Sequence, residues 1–343
     1  MITMKEIAMI ADVSTTTVSN VIHGKINKVS PDTVDKIQRL LEENNYIPRF
    51  GLNALTNRGS KMIGIIIHTP EFFEQMPYER PFYGKVIGML EHVFRERGYY
   101  IMLYSSKDLQ DIMTMVLGWN IDGIITISMP QEYYQKIQEK TKKPVVAIDL
   151  LDEDDRLDHC YSVTSKDYDG GSQVMKYLIQ QGFKEIIFIA NVKEGADLYR
   201  YQGANEVYKK HFKLGTDLKY YILERTYEER VRTYESLERY AQKGENALFF
   251  STDLNAVEAI GYFREKQIQV PEDISVVGFD DDIYARLCIP QLTSMKVDSE
   301  KKARLAAKML MKLIEGEKVE EKHIKIDVQF MKRNSVLEKR IEK

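Results

Sequence analysis

The stretch MIGIIIH at residues 62–68, followed by FYGKVIGMLEHVFRERG at residues 82–98, decides the fold. The first segment is an unbroken apolar run of strand length, and the second carries apolar residues at helical spacing and ends on a glycine. An apolar run without alternation indicates a strand that is buried on both faces, as strands are in parallel sheets. These segments therefore predict the first strand–helix unit of a parallel α/β sheet.

The same alternation of strands and helices continues to the end of the chain. Further strand-like runs are YYIMLYS (99–105), DGIITIS (122–128), PVVAID (144–149), EIIFIAN (185–191), KYYILE (219–224), NALFFS (246–251), DISVVGFD (273–280), LTSMKV (292–297) and HIKIDVQF (323–330). The rhythm restarts after a helix that begins near residue 168, which predicts two similar doubly wound parallel-sheet lobes. In such sheets ligands bind in the crevice at the carboxyl ends of the strands, so we expect a ligand between the lobes.

Residues 1–60 read differently, because they hold short helical patterns and no strand-like run. Thr3 and Glu6 form a capping box before a first helix, in which Ile7, Ile10 and Ala11 are expected to form one apolar face. A second helix over residues 15–24 is expected to start at the N-cap Ser14. A third helix is expected to start at Ser30-Pro31, with core residues Val34, Ile37, Leu40 and Leu41.

The exposed side of the second helix carries Thr15, Thr16, Ser19 and Asn20, which are small hydrogen-bonding residues. Two short helices joined by a tight turn, with a third in support, form the plan of a helix-turn-helix domain whose second helix enters the major groove. On spacing alone, a small helical bundle with a merely solvated polar face stays open as the alternative.

The formal net charge of −3 hides a difference between two parts of the chain. Residues 1–60 carry seven basic and six acidic side chains, a charge of +1, and the remainder carries −4. A near-neutral total would argue against nucleic acid as a partner, but here it averages a weakly basic segment with a mildly acidic one. Tight DNA binding would then depend on dimerisation and groove contacts more than on bulk charge.

Several classes of protein are not favoured by the sequence. It has no apolar run long enough to span a membrane, no basic and apolar start typical of a secretion signal, and only two separated cysteines, so we expect a cytoplasmic protein. The motifs GxSxG, GxxxxGK[ST] and HExxH do not occur, so we expect no enzyme, no cofactor and no metal site. Gly170-Gly171 at a helix start is too weak a signal for a phosphate site and favours packing or a turn.

Eight segments in one order carry a resemblance that covers essentially the whole chain. They are KEIAMIADVSTTTVSNVIHG (5–24), VSPDTVDKIQRLLEENNYIP (29–48), NALTNRGSKMIGIII (53–67), PFYGKVIGMLEHVFRERGY (81–99), DGIIT (122–126), GFKEIIFI (182–189), PEDISVVGFDD (271–281) and PQLTSMKVD (290–298). In these the chain resembles the LacI/GalR family of bacterial transcriptional repressors. The resemblance implies a helix-turn-helix DNA-binding domain at 1–46, a hinge or linker at 47–60, a two-lobed core for effector binding and dimerisation at 61–335, with a fold like that of periplasmic binding proteins, and a tail at 336–343.

For DNA contacts, the resemblance implies that Thr15 and Thr16 read base edges. Asn20 stands where family members often carry an arginine that contacts guanine, and because asparagine prefers adenine, the operator sequence cannot be taken from the family. Phosphate contacts, which position the domain without reading sequence, are implied for Ser14, Ser19 and Tyr46, with Lys5, Lys25 and Arg49 as further candidates.

The hinge is expected to become helical only on DNA and beside its dimer mate, because RFGLNALTN is short and contains Gly51. The resemblance implies that Leu55 is wedged into the minor groove, where an apolar side chain unstacks a base step and kinks the duplex. Packing of Leu55 on the core is the alternative.

The resemblance also implies an effector site, and its candidates follow the ends of predicted strands or open a helix. They are Phe82, Tyr83, Ser128, Asp149, Arg200, Thr252, Asp253 and Asp280. Carboxylates, a guanidinium and aromatic rings suit a polyhydroxy ligand such as a sugar, since charged acceptors bind hydroxyl groups and rings cover the apolar face. Helix capping by Asp149 and Asp280, and an inter-lobe salt bridge of Arg200, stay open as alternatives. Val297 replaces a polar residue of some sugar-binding members and leaves the ligand undefined.

Together these features predict a homodimeric repressor that binds double-stranded DNA at a roughly palindromic operator and responds to a small molecule, a sugar or sugar derivative. A solute-binding protein for sugar uptake shares the two-lobed fold, but it would need an export signal and no helix-turn-helix. An α/β enzyme would need a catalytic constellation that the sequence lacks.

Overall fold

A computed structural model describes residues 2–22, 25–44, 46, 59–69, 77–151, 160–183, 185–212, 216–242 and 244–338. The chain divides into two compact units, Met1–Ser60 and Lys61–Lys343. The division falls at the residue where the sequence predicts the end of the hinge.

The first unit consists of three helices and a short 3₁₀ turn at Ile26–Lys28 within its described residues. The helices are α1 (Met4–Ala11), α2 (Thr15–Ile22) and α3 (Pro31–Glu43). The predicted caps are confirmed, since Thr3 and Glu6 form a reciprocal capping box and the Ser14 and Ser30 hydroxyls each accept a bond from the backbone N–H three residues on. Local hydrogen bonding thus sets where each helix begins.

The core of this unit lies between the helices and contains Ile7, Ala8, Ala11, Val18, Val21 and Ile37. The prediction that Ile10 shares the apolar face of α1 is wrong, because Ile10 is 53% exposed and Ala8 is buried instead. The tight turn after α1 is formed by Asp12 at φ 54°. Lys36 Nζ on α3 donates to the carbonyl of Ala11 at 2.9 Å, so a cation satisfies the carboxyl end of α1.

The second unit contains two six-stranded sheets, each the centre of one lobe. The lobe 1 strands are β1 (Met62–His68), β2 (Tyr100–Ser106), β3 (Gly123–Ile127), β4 (Val145–Ile148), β5 (Ser162–Ser165) and β11 (His323–Ile326), in the order β11-β5-β4-β3-β1-β2. All their pairings are parallel. The helices that follow lobe 1 strands are α4 (Pro81–Glu96), α5 (Leu109–Gly118) and α6 (Gln131–Thr141).

Lobe 2 has the same design. Its strands are β6 (Glu185–Ala190), β7 (Lys219–Ile222), β8 (Asn246–Phe250), β9 (Ser275–Asp280), β10 (Thr293–Lys296) and β12 (Gln329–Met331), in the order β12-β10-β9-β8-β6-β7, and only β12 runs antiparallel to its neighbour. Its helices are α7 (Asp167–Gln180), α8 (Gly195–Phe212), α9 (Tyr227–Leu237), α10 (Asp253–Glu265) and α11 (Ile283–Leu287). The predicted two-lobed α/β core is confirmed.

The chain crosses between the lobes three times, after β5, after β10 and after β11. The second crossing leads into α12 (Ser299–Ile314), which returns to lobe 1 and supplies Ala303, Ala306 and Leu310 to its core. The third crossing corrects the prediction of one strand over 323–330, since that segment forms β11 in one sheet and β12 in the other. The short strand β5 was not predicted, because its sequence SVTS contains a single apolar residue and therefore lacks the apolar run of the other strands.

The packed core of lobe 2 also extends past the predicted boundary at residue 335. Val336 is 4% exposed within it, and Leu337 packs against it. Among the helices of the described ranges, we find none with the length and apolar character that crossing a bilayer requires.

Candidate functional site

A cavity of about 140 Å³ lies between the two lobes, where the strands of both sheets end. Seven of the eight predicted effector residues line it: Phe82, Tyr83, Ser128, Asp149, Arg200, Thr252 and Asp280. Leu150, Leu151, Val192, Leu254 and Val297 add apolar surface. The strand-end rule thus places acidic, basic, hydroxyl and aromatic groups around one space.

The backbone is strained at the strand ends that form this cavity. Ser128, Asp149 and Asp280 have φ values of 52°, 54° and 112°, and Asp281 follows at 51°. Residues with a Cβ rarely adopt such conformations, which cost about 1–3 kcal/mol each and cluster at ligand sites where packing holds them. The concentration of these residues at one rim marks it as a functional region.

On the lobe 1 side, Asp149 is paired with a lysine that the sequence did not single out. Lys302 Nζ on α12 lies 2.8 Å from each carboxylate oxygen of Asp149, and the Lys302 side chain is only 2% exposed. The same Nζ lies 5.4 Å from the ring centroid of Phe82. Burial raises the pKa of Asp149, and the charge of Lys302 opposes that rise. Asp149 therefore pairs with Lys302 and does not serve as a helix cap.

On the lobe 2 side, Arg200 is buried in a network of acceptors. Its Nε lies 2.7 Å from Asp167 Oδ1 and its Nη2 lies 3.3 Å from Asp280 Oδ1. Its Nη1 donates to the Ser251 carbonyl at 2.5 Å, and the guanidinium carbon stands 3.8 Å from the Phe279 ring centroid. These partners all belong to lobe 2, so an inter-lobe salt bridge is not what holds Arg200.

The protonation of this network follows from its burial. Burial raises the pKa of Asp280 to about 7, with Arg200 opposing the rise and the neighbouring carboxylates adding to it. Burial also raises the pKa of Asp197, which lines the cavity one helical turn before Arg200. For Arg200, burial alone would lower the pKa, but the carboxylates of Asp167, Asp280 and Asp197 together raise it. Arg200 therefore stays charged while carboxyl groups around it can hold a proton.

Glycines allow the approach of α7 and α8 that brings Arg200 into place. A Cβ on Gly171 would lie 1.9 Å from the Arg200 carbonyl oxygen, and one on Gly203 would lie 1.9 Å from the Tyr168 carbonyl oxygen. The predicted packing role of the Gly170-Gly171 pair is confirmed, since a Cβ on Gly170 would meet the Phe279 ring at 2.6 Å. Arg200 and Gly203 of α8 are therefore linked: Gly203 allows the close approach of α7 and α8, and this approach brings Arg200 next to Asp167.

Asp253 is the one predicted effector residue that the structure does not place in the cavity. It is fully buried, its Oδ1 accepts from Ser294 Oγ at 2.6 Å and its Oδ2 accepts from the Asp282 N–H at 2.8 Å. Burial raises its pKa well above the ordinary value, with Asp280 and Asp282 adding to the rise. Asp253 therefore holds the turn after β9, and the prediction of a ligand contact is corrected to a structural role.

The three consecutive aspartates face different partners, as their adjacency in sequence requires. Asp280 points to Arg200, Asp281 pairs with Arg333, and Asp282 accepts from the Tyr284 N–H at 2.7 Å at the start of α11. Each of the three carboxylates therefore binds a different partner.

Several lining residues had not been selected from the sequence: Arg80, Asn191, Asp197, Asp282 and Lys302. Lys302 carried a signal, since it interrupts the apolar stripe of α12 formed by Ala303, Ala306 and Leu310. Asp197 stands three residues before Arg200 and therefore on the same face of a helix.

On the first unit, the predicted DNA-reading residues lie on or beside α2. Thr15 and Thr16 are exposed, and Ser19 and Asn20 are half-buried. Ser14 is exposed and caps the helix through the Thr17 N–H at 3.1 Å. Tyr46 packs against the three-helix core, and its N–H donates to the Leu41 carbonyl at 2.9 Å. Leu55 and Arg49 lie outside the described residues.

Comparisons with known proteins agree with both units. Residues 3–49 match the family described as bacterial regulatory proteins, lacI family, and residues 175–336 match the periplasmic binding protein-like domain. The chain is 28% identical to the HTH-type transcriptional repressor PurR of Histophilus somni (strain 2336), over 98% of this chain and 99% of that protein. It is 29% identical to PurR of Haemophilus influenzae (strain PittEE), over 92% of this chain and 91% of that protein.

Solved structures show the same architecture. The cellobiose complex of the transcriptional regulator CelR is 25% identical with a TM-score of 0.70, covering 98% of this chain and 100% of that one. The lac repressor dimer bound to operator and the anti-inducer ONPF is 20% identical with a TM-score of 0.83, covering 98% of this chain and 99% of that one, and supports the fold.

Similarity over nearly the full length joins this chain to transcriptional repressors and not to enzymes. A DNA-binding domain joined to a two-lobed core with a ligand cavity is the arrangement of a repressor under small-molecule control. The chain belongs to the lacI family of bacterial regulatory proteins.

Proposed function

We propose that the small molecule controlling this repressor is a carbohydrate that binds between the two lobes, and that the chain acts in the cytoplasm as a homodimer on a roughly palindromic operator. The observation that carries the carbohydrate assignment is the lining of the inter-lobe cavity. Asp149 and Asp280 supply acceptors, Arg200 supplies donors and Phe82 supplies a ring, all around one space.

This chemistry fits a polyhydroxy ligand. Ionised acceptors form hydrogen bonds to hydroxyl groups that are roughly twice as strong as neutral ones. The ring of Phe82 covers an apolar sugar face, while Tyr83, Ser128 and Thr252 add hydroxyl-bearing side chains to the cavity lining. The CelR structure, which aligns over 98% of this chain, was solved with the sugar cellobiose.

For DNA, we assign base reading to Thr15, Thr16 and Asn20 and phosphate contacts to Ser14, Ser19 and Tyr46. The exposure of Thr15 and Thr16 on α2 supports direct readout. Tyr46 packs against the core of the three-helix unit, and this packing would fix its position for a contact to the DNA phosphate backbone. Leu55 is proposed as the apolar wedge of the hinge in the minor groove.

Exposed apolar side chains on both lobes support the homodimer. Leu287 and Ile289 near α11 are 70% and 77% exposed, and Trp119 after α5 is 58% exposed. Association of two chains over these side chains would remove their apolar surface from water. A two-fold symmetric dimer presents two reading helices to two half-sites, which is why we expect a palindromic operator.

The proposed mechanism is a population shift. A sugar bonded to Asp149 on lobe 1 and to Arg200 on lobe 2 favours the arrangement in which the lobes lie closest. The three chain crossings after β5, β10 and β11 are the places where such a change in lobe angle can occur. In the dimer, the two copies of lobe 1 then change their position relative to each other. This changes the spacing of the two hinge segments at 47–60, and therefore the affinity for the operator.

The test is a selection of operator sequences by the full-length chain from random and genomic DNA, followed by gel shifts with a sugar panel. We expect a palindromic consensus and at least one sugar that shifts operator affinity. Phe82→Ala should remove the sugar response and leave operator affinity intact, whereas Thr16→Ala should weaken operator binding and leave sugar binding intact. Only salt-sensitive, sequence-independent DNA binding would contradict the repressor, and no response to any sugar would contradict the carbohydrate effector.

A further inference from the structure

We propose that Arg80 and Lys85 of lobe 1 form two electrostatic latches with lobe 2, in which Arg80 pairs with Asp197 and Lys85 pairs with Asp282 when the effector draws the lobes together. This inference rests on the lobe closure of the proposed function, and it does not depend on which sugar binds. It gives the closed arrangement a source of stability in the protein's own side chains.

The two latch pairs place opposite charges of the two lobes at one cavity. Arg80 directly precedes α4 and Lys85 lies in its second turn, and this helix packs on the core of lobe 1. Asp197 lies in the first turn of α8 and Asp282 is the N-cap of α11, both in lobe 2. Arg80, Asp197 and Asp282 line the effector cavity, so closure of the lobes shortens the distance between the cations and the carboxylates.

The charges of each latch pair already act on each other across the cavity. Burial raises the pKa of Asp197, with Arg200 and then Arg80 opposing the rise. Burial also raises the pKa of Asp282, and the N–H groups of α11 that bond to it and the charge of Lys85 oppose that rise. A cation acts on a carboxylate in this way mainly within about 6 Å, so each cation lies near its carboxylate before any effector binds.

The latch pairs are nevertheless open. In the ranges that the structure describes, Asp197 belongs to no ion pair, and the N–H groups of Arg200 bond to other acceptors. Lys85 and Asp282 also form no ion pair with any residue of these ranges. The attraction between opposite charges grows as their distance falls, so a small narrowing of the cavity turns each near approach into a contact.

The position of Arg80 is unfavourable for α4 taken alone. The first turn of a helix carries partial positive charge, which favours acidic side chains and disfavours cations. Arg80 is nevertheless the N-cap residue of α4, its side chain makes no capping bond, and the first turn contains no acidic residue. The carboxylate of Asp197 provides the compensation that α4 does not provide itself, and it does so from the opposite lobe.

The latches belong to the same segment as a ring that lines the cavity. Phe82 lies between Arg80 and Lys85 in sequence, at the start of α4. Because the start of a helix moves as one unit, closure that brings the Phe82 ring onto an effector also brings both cations towards lobe 2. Effector binding and latch formation therefore favour the same arrangement of the lobes.

One backbone hydrogen bond reports directly on the opening of the lobes. The N–H of Gly195, at the start of α8, donates to the carbonyl of Leu151, which follows β4 of lobe 1, at 3.1 Å. Exchange of this hydrogen with solvent requires the bond to break, and separation of the lobes breaks it. Its exchange rate therefore measures how often the lobes part in the chain without effector.

The test is hydrogen exchange of the full-length chain without effector, measured at Gly195 by mass spectrometry, in a double-mutant cycle of Arg80→Met, Asp197→Asn and the two together. Each single change should speed exchange by about fivefold, the strength of a good pair at a partly exposed site, and the double variant should be no faster than either single. Lys85→Met should also speed exchange by about fivefold. Arg95→Met, which removes an exposed ion pair at the other end of α4, is the matched control and should leave the rate unchanged.

The outcomes separate the latches from the proposal on which they rest. Additive effects of Arg80→Met and Asp197→Asn, or equal effects of Arg80→Met and Arg95→Met, would overturn the latches and keep the carbohydrate effector. Non-additive effects at Gly195, together with no response of operator binding to any sugar, would keep the latches and overturn the carbohydrate effector. Melting temperatures of the variants within a few degrees of the parent chain show that the changes in exchange come from the lobes and not from global unfolding.

Discussion

Lys302 Nζ lies 2.8 Å from both carboxylate oxygens of Asp149, so a helix near the C-terminus fixes the strand end that opens onto the ligand cavity. The two residues are 153 positions apart, and both side chains are largely withdrawn from water. An ion pair in such surroundings stabilises only while both partners are present, because either charge alone would be buried without compensation.

Removing one partner of this pair should therefore be costly. Lys302→Met or Asp149→Asn should lower the free energy of unfolding by about 3 kcal/mol, while the double variant should lose less than the sum of the two. Urea denaturation measures all three. Lys136→Met, which breaks the exposed Lys136–Glu132 pair, should cost less than about 1 kcal/mol and is the control. Equal losses at the buried and exposed pairs would show that the Asp149 carboxylate is well solvated.

The close approach of α7 and α8 at Gly171 and Gly203 leads to a second prediction. Gly203→Ala places a Cβ 1.9 Å from a backbone oxygen of Tyr168, so the helices must separate and move Arg200. We expect a loss of about 2 kcal/mol or more in the free energy of unfolding and a loss of the effector response. Gly261→Ala on α10 meets no atom within 4 Å and should stabilise by up to about 1 kcal/mol. Equal changes in the free energy of unfolding for the two variants would contradict a close contact between α7 and α8 at Gly203.

The raised pKa of Asp280 predicts a specific pH dependence. Its folded-state pKa of about 7 lies above the value of about 3.9 in an unfolded chain, so the folded protein binds this proton more tightly. The contribution of the Asp280 carboxyl to the free energy of unfolding is fully present below about pH 4 and is lost as the pH rises towards 7. Between pH 5 and 7.5 the parent chain without ligand should lose about 2 kcal/mol more than Asp280→Asn.

Thermal or urea unfolding at several pH values checks this slope. Asp217→Asn is the matched control, because hydrogen bonds from Asn205 and Lys209 lower the pKa of the exposed Asp217, which therefore titrates below this range. A parent chain and Asp280→Asn with the same slope would mean that Asp280 is ionised throughout.

The proposed contact of Asn20 with a base leads to a prediction about operator binding. Asn20→Ala should lower affinity for the selected operator by about 1–3 kcal/mol and relax the preference at one base pair of each half-site. The salt dependence should not change, since no phosphate contact is lost. Fluorescence anisotropy on operators that differ at single positions measures both, with the exposed Glu42→Gln of α3 as control. A uniform loss across all sequences would place Asn20 on the backbone instead.

Much of the fold and the site followed from local patterns. Capping residues at Thr3, Ser14 and Ser30 determine helix starts through bonds within three residues, and such short-range signals are readable in sequence. The cavity residues could be predicted from the sequence, because parallel strands place the residues that follow them at one edge of the sheet. Asp149 and Asp280 came from the family resemblance, and both obey this rule.

The features that were missed depend on contacts over long distances in the chain. Lys302 gains its role from Asp149, and Asp253 turns away from the cavity because Ser294 and the Asp282 N–H bind it. Hydrophobicity alone could not divide HIKIDVQF between two sheets, since both halves have strand character. Ile10 has the spacing of a core residue, but a helix of eight residues buries only the narrow face that meets its neighbours.

The return of the chain to lobe 1 through α12 and β11 also determines when that lobe can be completed during synthesis. The DNA-reading unit is whole once its first 60 residues have been made, but lobe 1 lacks an edge strand and part of its core until residue 326 has left the ribosome. Lobe 2, which waits for β12 and Val336, is finished only some ten residues later. The nascent protein can therefore present a folded DNA-binding domain well before it possesses a place to bind the molecule that controls it.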